Sequence, residues 1–238
     1  MRCIRPITLK NEDVVPCGDC NFCLQRRRSD WSVRLYQEFM RSRNAFFLTM
    51  TYDDEHIKYG NKETGSLYKK DIMNFQYNIK VNQKRYVKKM QKNDIIDDNW
   101  DQWKIKYYSV GEYGSERYRP HYHSIMYNIH PNTLFKLVDE NLWPHGTVHA
   151  GSCTHASINY VTKYVIDRDM QTPDQKPFSL MSKGLGAGYL ESNAKWHIGE
   201  DLRPYVLHQG KRVALPRYYR DKIFSAEERE YLNGVATM

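Results

Sequence analysis

The chain has 238 residues, 40% hydrophobic and 27% charged, which is enough apolar material for one sizeable domain with appendages. Its longest apolar run, Ala45-Phe46-Phe47-Leu48, is far short of the roughly 20 residues that a spanning helix needs, and Met1-Arg2-Cys3-Ile4-Arg5-Pro6 lacks the apolar core of a standard signal peptide. Lys plus Arg total 36 against 28 Asp plus Glu, giving a net charge of +8, and 13% aromatic residues argue against general disorder and suit a nucleic-acid binder.

Residues 1–20 read as an irregular leader ending in Pro16-Cys17-Gly18-Asp19-Cys20. From Leu24 to about Arg43 no Pro or Gly interrupts, and Leu24, Trp31, Leu35 and Phe39 recur at helical spacing. Arg26, Arg27, Arg28, Arg34 and Arg41 give that helix a basic side. Phe46–Tyr52 is rich in aromatic and β-forming residues and predicts a buried strand that stops at Asp53-Asp54. A polar loop with Gly60 and Gly65 leads to a predicted helix over Lys69–Lys92, with Ile72, Phe75, Ile79, Tyr86 and Met90 on one face. Eight basic residues and one acid, Asp71, fall in that stretch; it is either a solvated face or a DNA-facing one.

Strands are predicted at Ile105–Val110, running into Gly111-Glu112-Tyr113-Gly114, and at His121–Tyr127. Pro131–Leu142 predicts a short helix, Gly146–Ala150 a strand, and His155–Asp167 a helix with Ile158, Val161 and Val165 on its apolar side. Beyond 168, Pro173, Pro177, Gly184, Gly186, Gly188, Pro204 and Pro216 predict a loop-rich extension ending in a helix around Ala226–Asn233. The expected fold is α+β, a mostly antiparallel sheet with a β-α-β-β-α-β core, backed on one face by helices and carrying added helices. One domain is expected over 1–238: a Cys-containing leader and basic helix at 1–44, a core at 45–167 and an extension at 168–238.

Within a strand, alternation sends His121 and His123 to the same face and Tyr122 to the other. Two imidazoles so placed suit one divalent ion, although His-x-His alone is also a common chance pattern. Glu112, close across the expected hairpin, makes a set of two imidazoles and a carboxylate. That set fits Mg²⁺ or Mn²⁺ with positions left for phosphate oxygens, and its ligand types also admit Zn²⁺. His145 or His149 remains a further candidate ligand. Tyr160 and Tyr164 are four apart on a helix and can address one point, or simply pack. A Tyr nucleophile needs help because a phenol ordinarily titrates near about 10. A metal-polarised phosphate and a nearby cation such as Lys163 supply it.

Cys17, Cys20 and Cys23 form Cys-x2-Cys-x2-Cys, and five cysteines in an unsignalled chain suggest reduced thiols rather than disulfides. The three thiols suit structural zinc, with Cys3 or a His as fourth ligand, or else a turn that binds nothing. No Gly-x-x-x-x-Gly-Lys-Ser/Thr is present, so no ATP-driven helicase is expected, and Gly184-Leu185-Gly186-Ala187-Gly188 reads as a turn.

These residues together carry a family resemblance. The chain resembles the HUH endonucleases, specifically the replication initiators of small single-stranded DNA phages, the microviruses of gokushovirus type. The resemblance runs through Pro16-Cys17-Gly18-Asp19-Cys20-Asn21-Phe22-Cys23, Arg26 to Trp31, Phe47–Tyr52, Gly111-Glu112-Tyr113-Gly114, Arg119-Pro120-His121-Tyr122-His123, Tyr160-Val161-Thr162-Lys163-Tyr164 and Leu215-Pro216-Arg217-Tyr218-Tyr219. It implies a metal-dependent nickase and ligase for single-stranded DNA in the host bacterial cytoplasm. Glu112, His121 and His123 would then hold the ion, Tyr160 and Tyr164 would be the nucleophiles with Lys163 beside them, and Arg26, Arg27, Arg28 and Arg119 would contact DNA. The implied partners are single-stranded and replicative-form origin DNA, a host helicase and a host polymerase, with no membrane. The competing expectations are a transposase or relaxase of the same superfamily, and a non-catalytic, zinc-stabilised nucleic-acid-binding module.

Overall fold

The computed structural model describes residues 3–59, 65–93, 100–140, 142–165, 176–199 and 201–235. Two short strands, β1 (Ile7–Thr8) and β2 (Val14–Val15), pair antiparallel within the leader and precede α1 (Asn21–Phe39). Then come β3 (Ala45–Tyr52), α2 (Lys69–Lys92), a 3-10 turn at Trp100–Trp103, β4 (Lys106–Tyr113) and β5 (Pro120–Tyr127). α3 (Pro131–Asp139), β6 (Gly146–Ser152) and α4 (His155–Lys163) complete the expected β-α-β-β-α-β order with its following helix. β7 (Phe178–Met181), α5 (Gly188–His197), β8 (Tyr205–His208), β9 (Lys211–Ala214), α6 (Arg217–Ile223) and α7 (Ala226–Val235) occupy the rest. Residues up to Arg41 with those from Gly184 onward make one compact unit, and Ser42–Lys183 make the other. No described helix is long and apolar enough to cross a membrane.

In the Ser42–Lys183 unit, five antiparallel strands lie in the order β6-β3-β5-β4-β7. The register aligns Thr49 with both His123 and His149, and Glu112 with His121. Alternation then divides the sheet. Leu48, Met50, Tyr52, Tyr122 and Met126 point to one face, where Ile72, Phe75 and Ile79 of α2 and Leu137 of α3 join them in a single apolar core. Each such side chain, when fully buried, contributes about 1.5–3 kcal/mol. Phe47, Thr49, Glu112, His121 and His123 point to the other face, and α4 lies there, its Tyr160 ring 5.9 Å from Phe47 and 5.0 Å from His123. Helices therefore flank both faces rather than one. The sequence of β5 requires it, because His123, Ile125 and Tyr127 are as buried as Tyr122 and Met126.

The buried stripe of α2 begins at Ile72, Phe75 and Ile79 as expected but continues through Gln83 and Val87, leaving Tyr86 and Met90 half-buried at its margin. Gln83 turns inward because the backbone there needs it: its amide nitrogen donates to the Asn128 carbonyl at 2.8 Å and its oxygen accepts from His130 N–H at 2.8 Å. α4 starts on a capping box, in which Thr154 Oγ1 accepts from Ser157 N–H and Ser157 Oγ accepts from Thr154 N–H. It ends at Lys163, with Tyr164 as its C-cap, so it is shorter than the expected helix, whose final residue Asp167 lies outside the described residues.

The other unit corrects the loop-rich reading of 168–238. Its helices of seven to ten residues and four-residue strands are each too short to stand out between prolines and glycines, yet they share a core of Val33, Tyr189, Val206, Leu215, Tyr219 and Phe224. The glycine-rich segment is a turn, as expected. Gly186, at φ +79°, sits so close to the Arg34 carbonyl and Tyr219 hydroxyl that a Cβ would lie 2.7 Å from both. Its N–H donates to the buried Glu38 carboxylate at 2.8 Å, and its carbonyl accepts from Tyr219 at 2.7 Å.

Candidate metal centre and tyrosine pair

Adjacent strands β4 and β5 deliver three donors to one point. Glu112 Oε1 is 2.7 Å from His121 Nε2 and 2.9 Å from His123 Nε2. The other ring nitrogens are already engaged: His121 Nδ1 donates to the Arg119 carbonyl at 3.1 Å, and Thr49 Oγ1 lies 3.0 Å from His123 Nδ1. These partners fix both rings and direct both Nε2 atoms at Glu112, the arrangement that metal-ligating histidines use. Phe47 stacks on His123 with ring centres 5.2 Å apart.

Glu112 is 3% exposed, and its Oε2 is buried without a hydrogen-bond partner. An orphaned carboxylate oxygen between two aimed imidazoles is costly unless a cation meets it, so the residues present fit a divalent ion. Burial raises the Glu112 carboxyl, but hydrogen bonds from His121 and His123 outweigh it and hold the group below the usual carboxylate range. For His121 burial lowers the imidazole, and the Glu112 hydrogen bond, helped by the Arg119 carbonyl, raises it above its ordinary value.

Tyr160 reaches this cluster from α4. Its hydroxyl is 3.4 Å from both Glu112 Oε1 and His123 Nε2. Burial, and then the Glu112 charge, push its phenol above the ordinary value despite the lowering effect of Tyr164. The Tyr164 ring lies 5.2 Å from Tyr160 and stacks 6.5 Å from His123, while Lys163 is exposed. His149 shares the sheet face but stands beyond Thr49, and His145 lies elsewhere, 3.7 Å from Asp71; neither joins the three-donor group.

Sequence reasoning missed Thr49 and Phe47. Strand alternation gives their spacing, but only the register sets them against His123.

In the other unit the sulfurs of Cys3, Cys17, Cys20 and Cys23 all lie within 4.8 Å of one another. Zinc–sulfur bonds of about 2.3 Å in a tetrahedron give edges of about 3.8 Å. The separations are 3.4 Å for Cys3–Cys17, 3.8 Å for Cys3–Cys20 and 4.0 Å for Cys17–Cys23. Cys17 Sγ also accepts from the Cys20 amide at 3.3 Å, and the amides of Ile4 and Cys23 pull the Cys20 thiol down to about 6. Cys3, rather than a histidine, therefore supplies the fourth sulfur. It arrives through the chain reversal that pairs β1 with β2.

The arginines differ in what they already hold. Arg26 donates to the Leu215 carbonyl at 2.6 Å and pairs with Asp30 at 3.0 Å, and Arg119 donates to the Tyr52 carbonyl at 2.9 Å and pairs with Asp54 at 2.7 Å. Arg27 is exposed and Arg28 half-buried.

Residues 45–169 match the model of a family of replication-associated proteins, the ORF2 type. The chain is 29% identical, over 259 aligned positions, to replication-associated protein VP4 of Bdellovibrio phage phiMH2K, covering 93% of this chain and 76% of that one. It is 28% identical to replication-associated protein ORF2 of Spiroplasma virus 4, with 87% and 67% covered, and 27% identical to replication-associated protein ORF4 of Chlamydia phage 1, with 93% and 58% covered. No solved structure gives a significant match.

Proposed function

The chain belongs to the ORF2-type family of replication-associated proteins, and we propose that it initiates rolling-circle replication of a small single-stranded DNA phage by nicking and rejoining origin DNA. The observation that carries this reading is the approach of the Tyr160 hydroxyl to the point where Glu112, His121 and His123 converge. Mg²⁺ or Mn²⁺ held by those three side chains would polarise a phosphate oxygen and offset the Glu112 charge that now raises the phenol.

The chain's own residues do the rest. The fixed rings of His121 and His123 keep their Nε2 atoms on one point, and α4 holds Tyr160 against it. As the phenol loses its proton, its oxygen attacks phosphorus and the P–O3′ bond breaks. The departing 3′ oxygen takes up a proton and becomes the primer for a host polymerase, while the 5′ phosphate stays on tyrosine. Tyr164, one helical turn on, acts on the regenerated origin after a circuit, and the earlier 3′-OH closes the circle by attack on the phosphotyrosine. Strand separation falls to a host helicase in the bacterial cytoplasm. Lys163 contacts DNA phosphate near the tyrosines, and Arg28 and Arg119 contribute further cationic contacts. The four sulfurs hold a structural zinc.

The test is covalent trapping. With labelled single-stranded origin DNA and Mn²⁺, wild type forms a DNA–protein adduct that peptide mapping assigns to Tyr160 or Tyr164. Tyr160→Phe and Tyr164→Phe each retain some adduct but make few circles, and the double variant makes none while still binding DNA. An adduct on any other tyrosine overturns the mechanism.

A further inference from the structure

α1 carries Arg27, Asp30, Trp31 and Arg34 at i, i+3, i+4 and i+7, one face of the helix. Together with Arg217 and Tyr218 of α6 they line a cavity of about 250 Å³, all within the unit that holds the four cysteines. The Arg34 guanidinium lies 4.3 Å from the Trp31 ring and 4.0 Å from the Tyr218 ring. Its Nη2 and Nε donate to the Leu185 carbonyl at 2.8 and 3.1 Å, so this aromatic and cationic wall is set in place by the fold. At the rim, Arg27 is exposed and Arg217 is 81% exposed. The inner carboxylate is compensated: Asp30 pairs with Arg26 at 3.0 Å and accepts the Arg217 N–H at 3.1 Å. Asp221 at the edge pairs with Arg217 at 3.3 Å. With Arg26 included, four guanidiniums face two carboxylates and leave the cavity positive.

We propose that this cavity seats one unpaired nucleotide of single-stranded DNA, its base against the Trp31–Arg34–Tyr218 wall and its phosphate on Arg27 and Arg217. Flat aromatic faces joined to arginines are the means by which proteins hold single strands with little sequence preference. A duplex keeps its base faces stacked and would engage the cations alone, and an acidic peptide would leave the rings without a role. The inference rests on the reading that the chain handles origin DNA, but it uses none of the residues placed at the cleavage centre.

Fluorescence anisotropy with a short labelled oligothymidylate, and with a duplex of equal length, tests it in the absence of Mn²⁺ and Mg²⁺. Tyr218→Ala weakens single-strand binding about tenfold, and Tyr218→Phe, which keeps the ring, does not. Arg27→Glu, at an exposed position that folding does not need, weakens it and lowers the salt dependence by about 0.7 for each phosphate no longer engaged. Single-strand binding by Arg27→Glu and Tyr218→Ala at wild-type strength overturns the site, as does equal weakening toward duplex and single strand. Covalent adduct formation by wild type, scored in parallel, separates the two ideas. Adducts with unaffected variant binding sink this cavity alone, whereas weakened variant binding without adducts sinks the nickase and leaves the cavity standing.

Discussion

Two groups of metal-ligating side chains stand in this chain, and their construction differs at every level. The four sulfurs come from a chain reversal and the start of a helix, accept backbone amides, and leave no donor position unfilled. Glu112, His121 and His123 come from two hydrogen-bonded strands whose register fixes them, supply three donors, and face a tyrosine hydroxyl across the remaining space. Donor number separates the roles. A filled tetrahedron ties chain segments together, whereas three donors leave room for substrate oxygen. The sequence types differ in the same sense, since closely spaced thiols suit zinc and an imidazole–carboxylate set suits harder ions beside phosphate.

That contrast is sharpest where the effects are largest. Structural zinc in isolated fingers contributes about 10–16 kcal/mol, so Cys20→Ser should lose the one zinc per chain expected by elemental analysis and melt far below wild type. Equal melting temperatures with no zinc in either protein would remove the structural role and with it the comparison. Next, His121→Ala combined with His123→Ala should reduce adduct formation by about 10³-fold or more, yet keep the zinc and most DNA binding, which rests on cationic contacts to phosphate. Metal-dependent nicking that survives the double substitution breaks the assignment. A gentler probe is Thr49→Val, which keeps the shape but removes the oxygen that orients His123. Apparent Mn²⁺ affinity in the adduct assay should fall about 10–100-fold and recover at high Mn²⁺, without loss of zinc. A loss that excess Mn²⁺ does not restore would point to damaged packing instead.

Why some of this was readable in advance follows from particular residues. α2 matches its expected limits, Lys69 and Lys92, because nothing interrupts it and its first three apolar residues have one phase. The phase fails at Gln83, which a hydrophobicity pattern places outside and the hydrogen-bonding needs of Asn128 and His130 place inside. His121 and His123 were readable from alternation alone, and Glu112 from its place across the hairpin. Thr49 was not, because a partner strand's register is a tertiary fact. Cys3 stood only as one alternative for the fourth position, since fourteen residues separate it from Cys17 and only the pairing of β1 with β2 returns the chain. The elements beyond 168 were hidden for a related reason: α5 buries only Tyr189 and His197, too little periodicity to announce a helix.

The smallest expected effect concerns pH. His121 titrates above its ordinary value of 6.5 in the folded chain, so its stabilising contribution is complete below that pH and fades as pH rises through the raised folded value. Glu112 titrates below its ordinary 4.5, so its contribution is complete above that pH and fades as pH falls through the lowered folded value. Without added Mn²⁺ or Mg²⁺ the melting temperature should therefore be flat between those two values and decline slightly above the upper one, by no more than about 2–4 °C. Saturating Mn²⁺ should reverse the upper slope, because bound imidazoles must be deprotonated. Parallel slopes with and without Mn²⁺ would place the ion elsewhere.

The capping box at Thr154 and Ser157 makes the start of α4 a fixed origin for counting. Each residue along a helix turns the side-chain direction by about 100°, so the interval from Thr154 to Tyr160 works as a ruler. One residue inserted or deleted between Ser157 and Tyr160 swings the phenol away from Glu112, although composition, charge and helix content hardly change. The same insertion placed before Thr154 leaves the phase intact and only lengthens the approach from β6. Tolerance to single-residue insertions should therefore change abruptly at Thr154, and a scan of such insertions would map that boundary without altering a single side chain of the centre.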